Sequence, residues 1–152
     1  MTPAFLELDI TLLINKLDEL TPNTQPKWGG MSAQQMVEHL SDSIKISSGK
    51  LNVGLEIPED KIAKMQEILA SDKEMPKNFV VPFAKKDTPL RHEELALAID
   101  EFLLEWIDFE EYFNEKPHAT AIHPYYGPLK YDQWLRLHSK HFTHHFQQFG
   151  LI

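Results

Sequence analysis

Four of the chain's eight histidines lie close together near its C-terminal end, in residues 138–145. The stretch 134–149 contains no glycine or proline, so it is predicted to be a helix. One stripe of that helix, about 80° wide at 100° per residue, carries Trp134, His138, His141, His145 and Gln148. Neutral imidazoles are the commonest protein ligands for metal ions, and two histidines four residues apart on one helix face can hold one ion. The stripe therefore predicts a metal site.

The alternative interpretation of the stripe is a polar helix edge, or core histidines whose nitrogens bond to carbonyl groups. A single histidine would favour that alternative. Three histidines on one stripe favour the metal, because packing buried imidazoles together without an ion is costly.

A catalytic metal usually has three protein ligands and one position open for water. His141 and His145 supply two, and the residues alone leave two candidates for the third. His138 lies on the same stripe but at the edge of its sector. His39 lies on another predicted helix, at the margin of the apolar face, from which it could reach a neighbouring helix. Periodicity does not decide between them.

Five helical segments are expected to position these side chains. Apolar spacings of three and four residues, with proline and capping residues at the boundaries, place them at residues 6–20, 32–47, 58–69, 88–114 and 130–149. Ser32 and Gln35 form a predicted capping box, and Gly150 is a predicted C-terminal cap. Residues 123–128 are expected to be a rigid, turn-rich connector, and the apolar residues 79–83 to pack over the helices. The pattern predicts one all-α domain over residues 1–152, a four-helix bundle with one additional short helix.

Composition narrows the classes of function. The formal charge is −8 and there is no dense basic stripe, so nucleic acid is not expected as a partner. The chain has no cysteine, which excludes disulfides and thiolate ligands and fits a reducing compartment. Neither a signal peptide nor an apolar run long enough to span a membrane is recognisable. We therefore expect a cytoplasmic protein with no membrane partner.

Several motifs resemble a known family. Residues 34–40, Gln-Gln-Met-Val-Glu-His-Leu, followed late in the chain by His141-x-x-x-His145-x-x-Gln148, are similar to the DinB/YfiT-like superfamily of metal-binding helical bundles. An uncharacterised branch is the closer match, through Lys27-Trp-Gly-Gly-Met31, His123-Pro-Tyr-Tyr-Gly127 and the ending at residues 144–151. These landmarks extend over most of the chain.

The resemblance implies a four-helix bundle, often dimeric, with a divalent ion near one end. Carried over residue by residue, it implies metal ligation by His39, His141 and His145. Three histidine ligands suit zinc or nickel, with iron as a further alternative. Characterised members of the superfamily include S-transferases and isomerases that use low-molecular-weight thiols, and others are described as hydrolases. The resemblance therefore implies a small-molecule substrate, and leaves open both the reaction and whether a low-molecular-weight thiol takes part.

Two hypotheses of function follow from the sequence. The first, which the three histidines favour, is a small metalloenzyme, a transferase or hydrolase in which the ion activates water or a thiol or polarises a carbonyl group. The second is a non-catalytic binding or stress-response protein stabilised by its metal. No catalytic residue is assigned. His138 and His144 are expected to support the ligands or lie at the surface, and His123 to line the pocket mouth or stabilise a turn.

Overall fold

The computed structural model describes residues 5–77 and 88–152, which are mainly helical. Within these two ranges the α-helices are α1 (Ile10–Leu17), α2 (Ala33–Ser47), α3 (Ile62–Ala70), α4 (Leu95–Glu115) and α5 (Tyr131–Gln148). A 3-10 turn, Glu59–Lys61, leads into α3, and a two-stranded sheet of β1 (Ala121–His123) and β2 (Gly127–Leu129) precedes α5. No helix among the described residues is both long and apolar enough to cross a membrane.

Helix α2 begins where the capping residues predict. The Ser32 hydroxyl accepts from the backbone N–H of Gln35, at 3.1 Å, and the Gln35 side chain accepts from the backbone N–H of Ser32, at 2.8 Å. These two bonds satisfy two amides that have no partner inside the helix. Helix α2 then packs against α4 and α5, which places its inward face beside the C-terminal helix.

Helix α5 ends at the predicted glycine. Gly150 has a backbone φ of 71°, a conformation that favours glycine over other residues. Its N–H bonds to the Gln147 carbonyl, at 3.1 Å, and the Leu151 N–H bonds to the Phe146 carbonyl, at 2.8 Å. This pair of bonds is a Schellman motif, which fixes the last turn of α5 and the residues on it.

Helix α1 is shorter than the predicted 6–20. It starts after Asp9, whose side chain accepts from the Leu12 N–H. The Leu6 N–H donates to the Thr143 hydroxyl, at 2.8 Å, and the Leu6 carbonyl accepts from the Ser139 hydroxyl, at 2.6 Å. Because α5 side chains bind these backbone groups, the residues around Leu6 run along α5 instead of continuing the helix.

Helix α4 also begins later than predicted, at Leu95 instead of Thr88. The Glu38 carboxylate accepts from the backbone N–H groups of Arg91, at 2.7 Å, and His92, at 3.3 Å. Gln34 donates to the His92 carbonyl at 2.7 Å. Side chains of α2, the Glu38 carboxylate among them, therefore hold this segment outside the helix.

The connector predicted to be rich in turns has a turn at residues 124–126, flanked by two short strands that the all-α prediction did not include. Residues 121–129 form an antiparallel hairpin in which Ala121 pairs with Leu129 and His123 with Gly127. Three-residue strands are too short to show an alternating pattern in the sequence. A Cβ atom on Gly127 would lie 3.0 Å from the Ile62 side chain, so this glycine lets the hairpin pack closely on α3.

The mainly helical fold is confirmed, whereas the four-helix arrangement stays a prediction. The apolar residues 79–83, expected to pack over the helices, lie outside the described residues.

Candidate metal centre

Three imidazoles from two helices meet between α2 and α5. The Nε2 atoms of His39 and His141 are 2.8 Å apart, and those of His141 and His145 are 3.1 Å apart. One nitrogen from each of the three side chains lies within 4.8 Å of the other two. His39 and His145 are buried and His141 is half-buried. The structure thus brings together the three histidines that the resemblance named, and it does not bring His138 into the group.

The spacing of the three nitrogens is suitable for one ion. Two nitrogens bound tetrahedrally to zinc at about 2.0–2.1 Å lie about 3.3 Å from each other. The distances of 2.8 Å and 3.1 Å differ from that by only a few tenths of an ångström. The donor set therefore fits a divalent metal with three imidazole ligands.

Gln148 determines which nitrogen of His145 carries the proton. The Gln148 amide nitrogen donates to the Trp28 carbonyl, at 2.9 Å, so its Oε1 atom faces His145 Nδ1, at 2.7 Å. An oxygen can only accept, so Nδ1 carries the hydrogen and Nε2 keeps its lone pair. A partner that holds a ligand imidazole in this way is typical of protein metal sites. The sequence placed Gln148 on the stripe but gave it no role.

The loop before α2 is built around Gln148. The Lys27 N–H donates to the Gln148 backbone carbonyl at 2.7 Å. Gly29 has a φ of 78°, and a Cβ atom on it would lie 3.0 Å from the Gln148 amide nitrogen. A glycine at this position allows the loop to approach the amide closely. The Trp-Gly-Gly segment recognised in the sequence thus holds Gln148, and through it His145.

Burial keeps the three imidazoles neutral. It lowers the pKa of His39 to about 4, with a smaller contribution from the neighbouring His144. Burial also holds the pKa of His141 and of His145 well below the usual range, assisted by the other imidazoles of the group. Only a neutral imidazole has a lone pair for a metal, so all three are in the ligating form at pH 7.

His138 occupies a different environment from the one expected. It is 0% exposed and lies between the rings of Trp134 and Phe142, with ring centroids 5.6 Å and 5.5 Å away. Its Nε2 atom is 2.9 Å from the Ser47 hydroxyl, which itself donates to the Ile44 carbonyl. His138 is thus a core residue, neither a surface group nor a support for the ligands. The hydroxyl on α2 that satisfies its Nε2 lies 91 residues away in sequence, which the helix pattern could not reveal.

A cavity of about 300 Å³ borders the three histidines. His123 lines it and also stabilises the hairpin, since its Nδ1 atom accepts from the Tyr125 N–H at 3.0 Å. The turn-stabilising role is therefore confirmed, whereas a place at the mouth of the cavity stays a prediction. Burial lowers the pKa of His123 to about 3, so it stays neutral and carries its proton on Nε2. His144 lines the same cavity, half-buried, with its ring centroid 4.9 Å from that of His145.

The three tryptophans of the chain lie in two different environments. Trp106 and Trp134 are buried in the core. Trp28 is half-buried, with its ring 5.5 Å from that of His144 and the Lys77 ammonium 4.3 Å from its ring centre. Trp28 is linked to the group of three histidines by its backbone carbonyl, which accepts from Gln148, and a sequence pattern cannot indicate such a bond.

The chain was also compared with known proteins. Neither a curated protein nor a solved structure is significantly similar to it. A family described as "Protein of unknown function (DUF1569)" matches residues 61–150, a span that includes His141 and His145 but not His39. Because the match extends over more than half of the chain, the protein belongs to the DUF1569 family.

Proposed function

We propose that this protein binds a divalent metal ion through His39, His141 and His145 and acts as a small metalloenzyme of the DinB-like superfamily. The convergence of three neutral imidazoles from α2 and α5, with one of them held by Gln148, carries this proposal. The motif resemblance and the pairing of helices are consistent with a four-helix bundle of that superfamily. Zinc and nickel suit the ligand set best, and iron is the further alternative.

The cavity beside the imidazoles supports an enzyme over a purely structural site. Structural zinc sites have four protein ligands, whereas catalytic sites have three and leave a position for water or substrate. Only three histidines form the group within the described residues, and they border a space of about 300 Å³. A bound ion would supply Lewis-acid chemistry, lowering the pKa of a coordinated water or thiol or polarising a carbonyl group.

The reaction that we propose is transfer or hydrolysis on a small-molecule substrate, with a low-molecular-weight thiol as the co-substrate in the transferase case. Around the cavity, the chain's own residues would position the reactants. His123 supplies a neutral hydrogen-bond donor, and Gln148 keeps the His145 lone pair available. The competing hypothesis, a non-catalytic binding protein, would be favoured by an ion whose coordination is closed to exogenous ligands.

Cobalt substitution tests the proposal. The cobalt-loaded protein should have visible absorption bands typical of few-coordinate cobalt, and adding azide should shift them because an open position accepts the anion. The His39→Ala variant should lack these bands. Bands that azide leaves unchanged would indicate a closed, structural site, and failure of the wild-type protein to bind cobalt or zinc would contradict the metal assignment.

A further inference from the structure

Much of the cavity lining beyond the three histidines is apolar. Three of the chain's five methionines, Met31, Met65 and Met75, line it, together with the side chains of Ile68 and Leu137. Methionine is flexible and polarisable, so a wall rich in methionine adapts to apolar ligands of differing shape. The lining therefore combines the imidazoles of the candidate metal centre with a mostly apolar surface, to which Lys73 and Glu74 add charged side chains.

The cationic groups at the cavity do not form an anion site. Among the described residues, no arginine lines it. The buried Lys140 ammonium donates to the Ile68 carbonyl, at 3.1 Å, near the C-terminal end of α3. A cation at that end of a helix is stabilised by the last carbonyl groups. Lys73, the other lysine in the lining, is exposed. Bidentate recognition of phosphate uses a forked guanidinium group, which the described lining does not offer.

We infer that the cavity binds a small molecule with an apolar body and a single electron-pair-donating head group. The head group faces the Nε2 atoms of His39, His141 and His145, and the body lies against the three methionines. A volume of about 300 Å³ is at the small end of ligand pockets, which limits the body to a short chain or one ring. The head group of this ligand rests on the proposed function, because it would bind the metal ion. The apolar body rests only on the three methionines that line the cavity.

Alkylhydroxamates of increasing chain length test the inference, because their head group chelates zinc while the chain can be varied. Zinc-loaded protein with ¹³C-labelled methionine methyl groups is titrated with acetohydroxamate, butanohydroxamate and hexanohydroxamate. Each methylene buried should tighten binding about fourfold until the cavity is full. The methyl signals of Met31, Met65 and Met75 should shift. The signal of Met36, which is fully buried elsewhere in the core, should not.

Two variants sharpen the result. Met65→Gln replaces one methionine of the wall by a polar side chain of similar size, and should weaken the dependence on chain length without lowering zinc content. Met31→Gln provides a second variant in a loop, should Met65→Gln disturb α3. Leu104→Gln, at a residue 61% exposed on α4, is the matched control and should leave the series unchanged.

The outcomes separate this inference from the proposed function. If zinc binds but affinity does not rise with chain length, or the three methyl signals stay fixed, the inference is overturned and the metal site stands. If zinc does not bind, the proposed function fails, and the metal-free labelled protein is titrated with ethanol, butanol and hexanol instead. Shifts of the same three methyl signals would then sustain an apolar binding cavity, and their absence would overturn it.

Discussion

The imidazole of His138 and those of His141 and His145, about one turn further along helix α5, have opposite surroundings. His138 is enclosed by aromatic rings, and its Nε2 atom has a partner in the Ser47 hydroxyl. His141 and His145 instead have their Nε2 atoms close to each other and, through His141, to that of His39. A ring nitrogen that already has a hydrogen-bond partner in the protein is not available to bind an ion. Ring nitrogens that lie close together can bind one ion between them. Burial alone therefore does not distinguish a ligand from a core histidine; the partner of each nitrogen does.

The largest effect should come from removing a ligand of the converging group. His39→Ala, His141→Ala and His145→Ala should each lower metal affinity by more than the roughly 100-fold expected from loss of a supporting partner. His144→Ala, which removes a neighbouring imidazole on the same helix, should retain the ion. Equilibrium titration with zinc and a competing chelator measures each affinity. If His144→Ala were the variant that lost the ion, the ligand assignment would be incorrect.

Substitution of the core residue His138 should lower stability without lowering metal binding. His138→Ala should lower the free energy of unfolding by about 2–5 kcal/mol, because it leaves a hole among packed aromatic rings. Its zinc stoichiometry should equal that of the wild type. Ser47→Ala removes the partner of Nε2 and the bond from that hydroxyl to the Ile44 carbonyl but leaves the ring in place, and should cost less, about 1–3 kcal/mol. Denaturant unfolding of the metal-free proteins gives these energies, and loss of zinc from folded His138→Ala would show that the two groups are not separate.

A smaller effect should follow from releasing the support of His145. Gln148→Ala should weaken zinc binding about 10–100-fold while leaving all three ligands in place. Gly29→Ala should act in the same direction, because its methyl group would press on the Gln148 amide at a backbone φ of 78°. Gln147→Ala, one residue before on the helix, is the matched control. In metal-free protein, ¹⁵N shifts should identify the Nδ1–H tautomer of His145 in the wild type, and a mixture of tautomers in Gln148→Ala. Equal zinc affinity in all of these proteins would refute a role for Gln148.

A separate effect, on the pH dependence of stability, concerns protonation of the core histidine. Burial lowers the pKa of His138 to about 3, whereas the unfolded chain has the ordinary value of about 6.5. The unfolded state therefore binds more protons between these values, and stability that is complete above pH 6.5 is lost as the pH falls toward 3. His138 alone should contribute about 1.4 kcal/mol per pH unit within that window. Metal-free His138→Phe should unfold in acid with proton uptake reduced by one. An unchanged pH dependence of its unfolding would mean that His138 is protonated in the folded state.

Local signals in the sequence predicted the parts of the site that lie on one element. The spacing of His141 and His145, the capping box at Ser32 and the terminal Gly150 all depend on neighbouring residues and were confirmed as structure. The position of His39 required the motif resemblance, because helix periodicity places it only at the margin of a face. Other parts of the structure depend on hydrogen bonds between residues far apart in sequence. These bonds involve the Trp28 carbonyl, the Ser47 hydroxyl and the Glu38 carboxylate, which holds residues 91–92 outside α4. No local pattern encodes such partners.

Metal analysis of untagged protein tests the central claim most directly. The protein is purified without chelator, its metal content is measured per chain, and X-ray absorption at the edge of that metal identifies the ligands. The wild type should contain about one divalent ion per chain, with three imidazole nitrogens and at least one oxygen from an exogenous ligand. His138→Ala should give the same spectrum, and His39→Ala should contain no ion. A wild-type protein that binds no divalent metal, or an ion coordinated by carboxylates alone, would contradict the account.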